Sequence, residues 1–166
     1  MNKPMSLLFV SSSLAVVVAL CAPASWAAVA VSFTKAEQYI DLPFMTHDRE
    51  QTLASLKQHF EKLGAKLPAG QDLTVEVLDV DLAGRLEPSK LSIGQELRVL
   101  RGGADWPMIQ LRYRVEAGGK MVNEGEARLT DLNYLRTLNR YPSGEPLRYE
   151  KAMLDDWFTK KILPPK

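Results

Sequence analysis

The sequence has little material for covalent or metal-based chemistry. It contains one cysteine, Cys21, and two histidines, His47 and His59. A lone cysteine cannot form an intrachain disulfide, and the two histidines are too far apart for any common zinc-binding spacing. The chain also lacks a Gly-x-Ser-x-Gly elbow, a phosphate-binding loop and a dinucleotide fingerprint. We therefore expect no cofactor and no metal site, and no residue type or spacing singles out a catalytic group.

The N-terminus has the pattern of a secretory signal peptide. Lys3 gives a short positive region, residues 7–20 form an apolar run broken by serines, and Ser25-Trp26-Ala27 fits the small-x-small cleavage rule. The run is shorter than the ~20 residues that span a bilayer, and no later segment resembles a membrane span. We expect cleavage after Ala27, with Ala24 and Ala30 as alternative positions, and a periplasmic location.

Cleavage of the leader would also change the thiol content and the net charge of the remaining chain. Cys21 would leave with the leader, and Leu20 stands where lipidation needs a small residue, so we expect neither a lipid nor a thiol. Without Lys3, the 21 basic residues fall to 20 and match the 20 acidic ones. A formally neutral chain argues against nucleic acid or an anionic membrane as the main partner. The expected partner is an unidentified protein or small ligand in the periplasm.

Hydrophobic periodicity over residues 28–166 predicts a single α+β domain with a largely antiparallel sheet of four or five strands. The predicted helices cover 48–63, a short segment at 131–138, and 146–161, whose first residue would be Pro146. Asp48 with Gln51 suits a capping box for the first helix. The predicted strands cover 28–33, 73–80, a weaker one around 93–99, 108–116 and 121–129. The first and last helices should pack on the sheet, with Trp157 buried against it.

The charged residues of the last two predicted strands favour one pairing register. A three-residue loop at Gly118-Gly119-Lys120 places Arg114 opposite Glu124 and Arg112 opposite Glu126. A shift by one residue would turn both carboxylates into the core, which costs several kcal/mol. Arg112 and Arg114 are then structural ion-pair partners on a solvated face. The alternative is that they bind a polyanion or a protein partner.

Asp79 and Asp81 are the other candidate binding residues. Two residues apart on a strand, they share a face ~7 Å apart. They would cap a turn before Gly84, or hold a cation if further oxygen ligands lie nearby. We expect a non-enzymatic accessory or binding protein of the cell envelope. The alternative is a periplasmic enzyme or metal-binding protein that uses Asp79 and Asp81.

A set of residues spread along the chain resembles one protein family. They are Asp79-Val80-Asp81-Leu82-Ala83-Gly84, Arg98-Val99, Pro107, Leu111, Tyr113, Gly119, Leu129, Asp131 and Asp156-Trp157-Phe158. The chain is similar to the secreted proteobacterial proteins called domain of unknown function 3016. The resemblance covers nearly all of residues 28–166, with Met108 standing where a basic residue is expected. It implies a Gram-negative periplasmic setting and supplies no activity.

Overall fold

The structure is a computed structural model that describes residues 27–39, 41–90 and 96–164. Its apolar strands and amphipathic helices form an α+β fold. The predicted leader therefore lies outside the described residues, apart from Ala27. The elements are β1 (Val29–Phe33), α1 (Thr46–Gly64), β2 (Gln71–Asp81), β3 (Arg85–Pro88), β4 (Glu96–Val99), β5 (Met108–Ala117), β6 (Lys120–Thr130) and α2 (Arg148–Trp157). A 3₁₀ turn (Ala36–Gln38) follows β1, and a π-helical turn (Phe158–Ile162) extends α2.

The main sheet has four strands in the order β1-β2-β5-β6, which confirms the predicted α+β class. β1 is parallel to β2, whereas the β2–β5 and β5–β6 pairs are antiparallel. β3 and β4 form a separate two-stranded sheet, so the weak strand predicted around residues 93–99 lies outside the main sheet.

Both helices cover one face of the main sheet, as predicted. Phe60 of α1 and Leu154 of α2 are fully buried, and the core joins them to the inward residues of the strands. The Trp157 ring meets Phe60 and Tyr113 edge-on, with centroids 6.5 and 5.5 Å away, and is 5 % exposed. No helix among the described residues has the length and apolar character needed to cross a membrane.

The hairpin confirms the predicted ion-pair register and corrects its loop. Arg114 lies opposite Glu124 and Arg112 opposite Glu126. The loop has two residues, Gly118 and Gly119, rather than three, because a bulge after Val115 absorbs the extra residue. Both glycines have positive φ (57° and 75°), which a two-residue turn between twisted strands requires.

A second bulge changes which residues of β2 enter the core. The pairing with β5 shifts between Val77 and Asp79, so two residues separate the inward Val77 from the inward Val80. Both valines are fully buried. Strict alternation along β2 would place Val80 on the face opposite to Val77.

Three predicted details of the helices are wrong. The residue that precedes α1 is Met45, without a side-chain cap, instead of Asp48. Segment 131–138 forms consecutive turns instead of a helix, and Leu138 is 97 % exposed. α2 begins at Arg148 because Leu147 takes a left-handed conformation (φ 55°), so Pro146 stands outside the helix.

Candidate functional site

The turn at residues 82–84, which leads from β2 into β3, is held from two sides. On one side, a guanidinium nitrogen of Arg98 in β4 lies 3.3–3.5 Å from the carbonyl oxygens of Leu82, Ala83 and Gly84. The same nitrogen donates to Asp41 Oδ2 at 2.6 Å. Gly84 has φ +84°, and a Cβ there would lie 2.6 Å from the Val99 carbonyl oxygen. The close approach of β4 to this turn therefore requires glycine.

On the other side, Glu150 of α2 reaches under the same turn. Its Oε1 accepts a 2.8 Å hydrogen bond from the Ala83 N–H, and the residue is only 2 % exposed. Burial raises the pKa of the Glu150 carboxyl above its ordinary value. A carboxyl held in its neutral form can donate as well as accept a hydrogen bond.

A cavity of about 350 Å³ opens beside Arg98 and Glu150. Leu100 and Leu147 give it apolar walls, and Arg148 and Tyr149 line it from α2. The Arg148 guanidinium lies over the Tyr149 ring, 5.2 Å from the centroid. Its Nε is buried without a hydrogen-bond partner, and it makes no ion pair with any carboxylate in the described part of the chain.

Asp105 supports the cavity wall through Tyr134, which packs against Tyr149. Its carbonyl accepts from the Gly84 N–H, and its carboxylate accepts from the Arg101 N–H and the Tyr134 hydroxyl. Burial alone would favour the neutral acid, but these hydrogen bonds lower the pKa of Asp105. Tyr134 meets the Tyr149 ring edge-on at 4.9 Å. The side chain of Tyr149 is therefore held in place on the cavity wall.

The two candidate aspartates lie next to this turn but outside the cavity lining. Asp79 Oδ1 accepts from the Val80 N–H, so it caps the backbone at the β2 bulge. Burial, followed by the charges of Asp41 and Asp79, raises the pKa of Asp81. In the described ranges no three His, Cys, Asp or Glu side chains are grouped as metal ligands. A binding role for Asp79 and Asp81 stays a prediction.

Arg112 and Arg114 lie on the solvated face of the sheet and do not line the cavity. Arg112 contacts Glu126 at 3.1 Å and Glu76 at 3.5 Å, and Arg114 lies 3.7 Å from Glu124. Hydrogen bonding to Glu126 raises the pKa of Arg112. Both arginines are thus ion-paired as the register predicted, and their role in binding stays a prediction.

His59 of α1 is a buried polar residue, only 5 % exposed. Its Nε2 lies 3.4 Å from Asp155 Oδ1, without the geometry of a hydrogen bond. Asp155 in turn accepts from Tyr141 at 2.5 Å and pairs with Arg140 at 2.9 Å. Burial lowers the pKa of His59. The negative charge of Asp155 favours the protonated ring but offsets the effect of burial only in part. The buried His59 and Asp155 thus link α1 to α2, and Arg140 reaches Asp155 from the surface.

The family model described as Protein of unknown function (DUF3016) matches residues 27–160. The chain belongs to this family. No curated protein and no solved structure matches this DUF3016 chain.

Sequence reasoning found the turn through its aspartates and missed the residues that line the cavity. Glu150 and Arg148 lie near the start of α2, where charged residues are usually solvated. The available signal was Glu150 one helical turn before Leu154, which puts an acid on the apolar face of α2.

Proposed function

We propose that this protein is a non-enzymatic binding protein of the periplasm, and that the cavity between β4 and α2 takes a small molecule with a carboxylate. The observation that carries the proposal is the unpaired Arg148 guanidinium on a cavity of about 350 Å³. Ligand sites are typically clefts of this size with apolar walls and a few fixed polar groups. The leader pattern supports the periplasmic location.

The charges around the cavity favour an anionic ligand. Arg98 is already paired with Asp41, and Glu145 is hydrogen-bonded and ion-paired to Lys151, so both pairs are close to neutral. Burial raises the pKa of Glu150, which favours the neutral form of its carboxyl. Arg148 remains as the uncompensated cation, and its planar guanidinium matches a carboxylate in a bidentate arrangement. Leu100 and Leu147 would contact an apolar body attached to that carboxylate.

The residues around the cavity favour binding over catalysis. The described lining residues offer hydroxyls at Ser143 and Tyr149, and no histidine accompanies them. His47 is exposed near the start of α1 and hydrogen-bonded to Gln51, while His59 belongs to the buried Asp155 cluster. A serine without an adjacent base is a weak nucleophile.

Calorimetry with a series of aliphatic and aromatic monocarboxylates tests the proposal. The wild-type protein should bind at least one of them, and R148A should weaken that binding about tenfold or more, because a charge-assisted hydrogen bond is lost. R136A is the matched control, since Arg136 is an exposed arginine away from the cavity. Equal affinity of R148A and R136A, or binding of phosphate monoesters alone, would contradict the proposal.

A further inference from the structure

β6 leaves one edge of the main sheet open. The strand runs for 11 residues, contains no proline, and within the described ranges pairs with β5 alone. The Asp131 N–H donates to the Pro107 carbonyl directly opposite, so the odd-numbered residues of β6 direct their backbone groups towards β5. The even-numbered residues from 124 to 130 therefore direct their N–H and C=O groups outward. No other backbone group among the described residues bonds to them.

The side chains along this edge carry an ordered charge pattern. Across the solvated face, negative Glu76, positive Arg112 and negative Glu126 stand side by side in three adjacent strands. The neighbouring row ends in the same way, with Arg114 beside Glu124. The side chains of Glu124 and Glu126 are 52 % and 47 % exposed, so both rows end in accessible carboxylates. Arg128, next along β6, is exposed and has no ion-pair partner among the described residues.

We infer that β6 docks an extended segment of a partner protein by strand addition, and that the segment carries basic residues opposite Glu124 and Glu126. Strand addition uses free backbone groups for affinity and alternate side chains for specificity. A basic side chain opposite each glutamate continues the alternation of charge, and an acidic one opposite Arg128 completes it. The partner pattern along β6 is then basic-x-basic-x-acidic. This surface is separate from the α2 cavity and does not depend on the function proposed for it.

Two synthetic peptides of equal length test this inference. Both are threonine- and valine-rich strands. One carries lysines at the positions that face Glu124 and Glu126 and a glutamate at the position that faces Arg128. The other has every charge reversed. Fluorescence anisotropy should show the first peptide binding several-fold more tightly. In NMR spectra of the complex, the even-numbered amides from 124 to 130 should shift and gain protection from hydrogen exchange, while the odd-numbered ones already face β5.

The double variant E124K/E126K should reverse the preference between the peptides. E50K/E61K is the control, because it makes the same change in net charge at two exposed positions of α1, and it should keep the wild-type preference. Should the reversed variant fail to fold, E124Q/E126Q should lower affinity for the basic peptide alone. Equal binding of the two peptides, unchanged edge amides, or a dimer formed through β6 without peptide would each overturn the inference.

Discussion

The two faces of the main sheet use the same strands for different purposes. On the inner face of β2 and β5, Val75, Val77 and Leu111 are fully buried under α1 and α2. On the outer face, Arg112 and Arg114 keep 57 % of their side-chain surface in solvent and pair with glutamates on neighbouring strands. An antiparallel sheet permits this division because its successive side chains point to opposite faces.

The difference separates what stabilises the fold from what specifies its register. Burial of the inner face supplies the hydrophobic free energy, which is proportional to the apolar area removed from water. The outer face supplies little free energy, because water and salt screen its charges, but a slip by one residue would bury its glutamates. Substitutions on the two faces should therefore differ strongly in their effect on stability.

The largest effect is expected for Trp157→Ala. The indole packs edge-on against Phe60, Tyr113 and Phe158, and its removal leaves a cavity between α2 and the sheet. The expected loss is ~3–5 kcal/mol in the free energy of unfolding, a large share of the ~5–15 kcal/mol of a typical domain. Urea denaturation followed by circular dichroism measures it.

Trp157→Phe is the control for this prediction. It keeps an aromatic ring in place and removes an indole N–H that is buried without a hydrogen-bond partner among the described residues. Its cost should therefore be well below that of alanine. A loss under ~1 kcal/mol for Trp157→Ala would show that the inner face does not depend on this ring.

Gly64→Ala should have the next largest effect. Gly64 ends α1 against β1, and a Cβ at this position would lie 2.1 Å from Val29 Cγ2. Overpacking of this kind costs ~1–3 kcal/mol, which outweighs the ~1 kcal/mol that alanine gains in helix propensity. Gly144→Ala is the matched control, since nothing lies within 4 Å of its added Cβ. A stabilised Gly64→Ala protein would mean that β1 does not pack closely on α1.

A smaller and pH-dependent effect is expected from His59, which lies against Asp155 of α2. Because burial lowers its pKa from the ordinary 6.5, the folded protein binds the proton less readily than the unfolded chain. The stability from neutral His59 is thus complete above pH 6.5 and is lost as pH falls towards the lowered value. The melting temperature should drop by a few degrees between about pH 7 and pH 5.

The His59 effect can be isolated by difference. Lys66, Lys151 and Arg140 surround the cluster with positive charge, whereas the charge of Asp155 and a hydrogen bond to the Lys151 backbone favour protonation of the ring. Glu150 acts in the opposite sense, because its raised pKa makes the fold more stable in acid than at neutral pH. His59→Gln should flatten the acid side of the melting curve, and His47→Gln, an exposed histidine of the same helix, should leave it unchanged. Parallel curves for both variants would rule out this role.

Sequence reasoning predicted best where periodicity and charge agree. β5 and β6 alternate strictly, and only one register keeps Glu124 and Glu126 out of the core, so both the strands and their pairing could be predicted. α1 and α2 followed from leucines and aromatics at helical spacing. The turn at 82–84 could be located from Asp79, Asp81 and Gly84.

The errors lie where tertiary contacts override local patterns. The leucines of segment 131–138 have helical spacing, but the chain there bends through turns and leaves Leu132 and Leu138 exposed. The buried positions of His59 and Glu150 depend on partners far along the chain, Asp155 and Ala83. Charged and polar residues at such positions are usually solvated, so a single sequence gives no local sign of their burial.

The smallest effect is expected for the double variant Arg112→Ala/Arg114→Ala on the outer face. Its ion pairs with Glu76, Glu124 and Glu126 are exposed, and exposed pairs contribute little because solvent screens them. The melting temperature should change by no more than a few degrees, far less than for Trp157→Ala. Val75→Ala, one strand away on the inner face, provides the contrast. If the double variant instead unfolds, the outer charges stabilise the fold and the comparison of the two faces fails. If it keeps its stability but loses a salt-dependent binding activity, the arginines form a binding site.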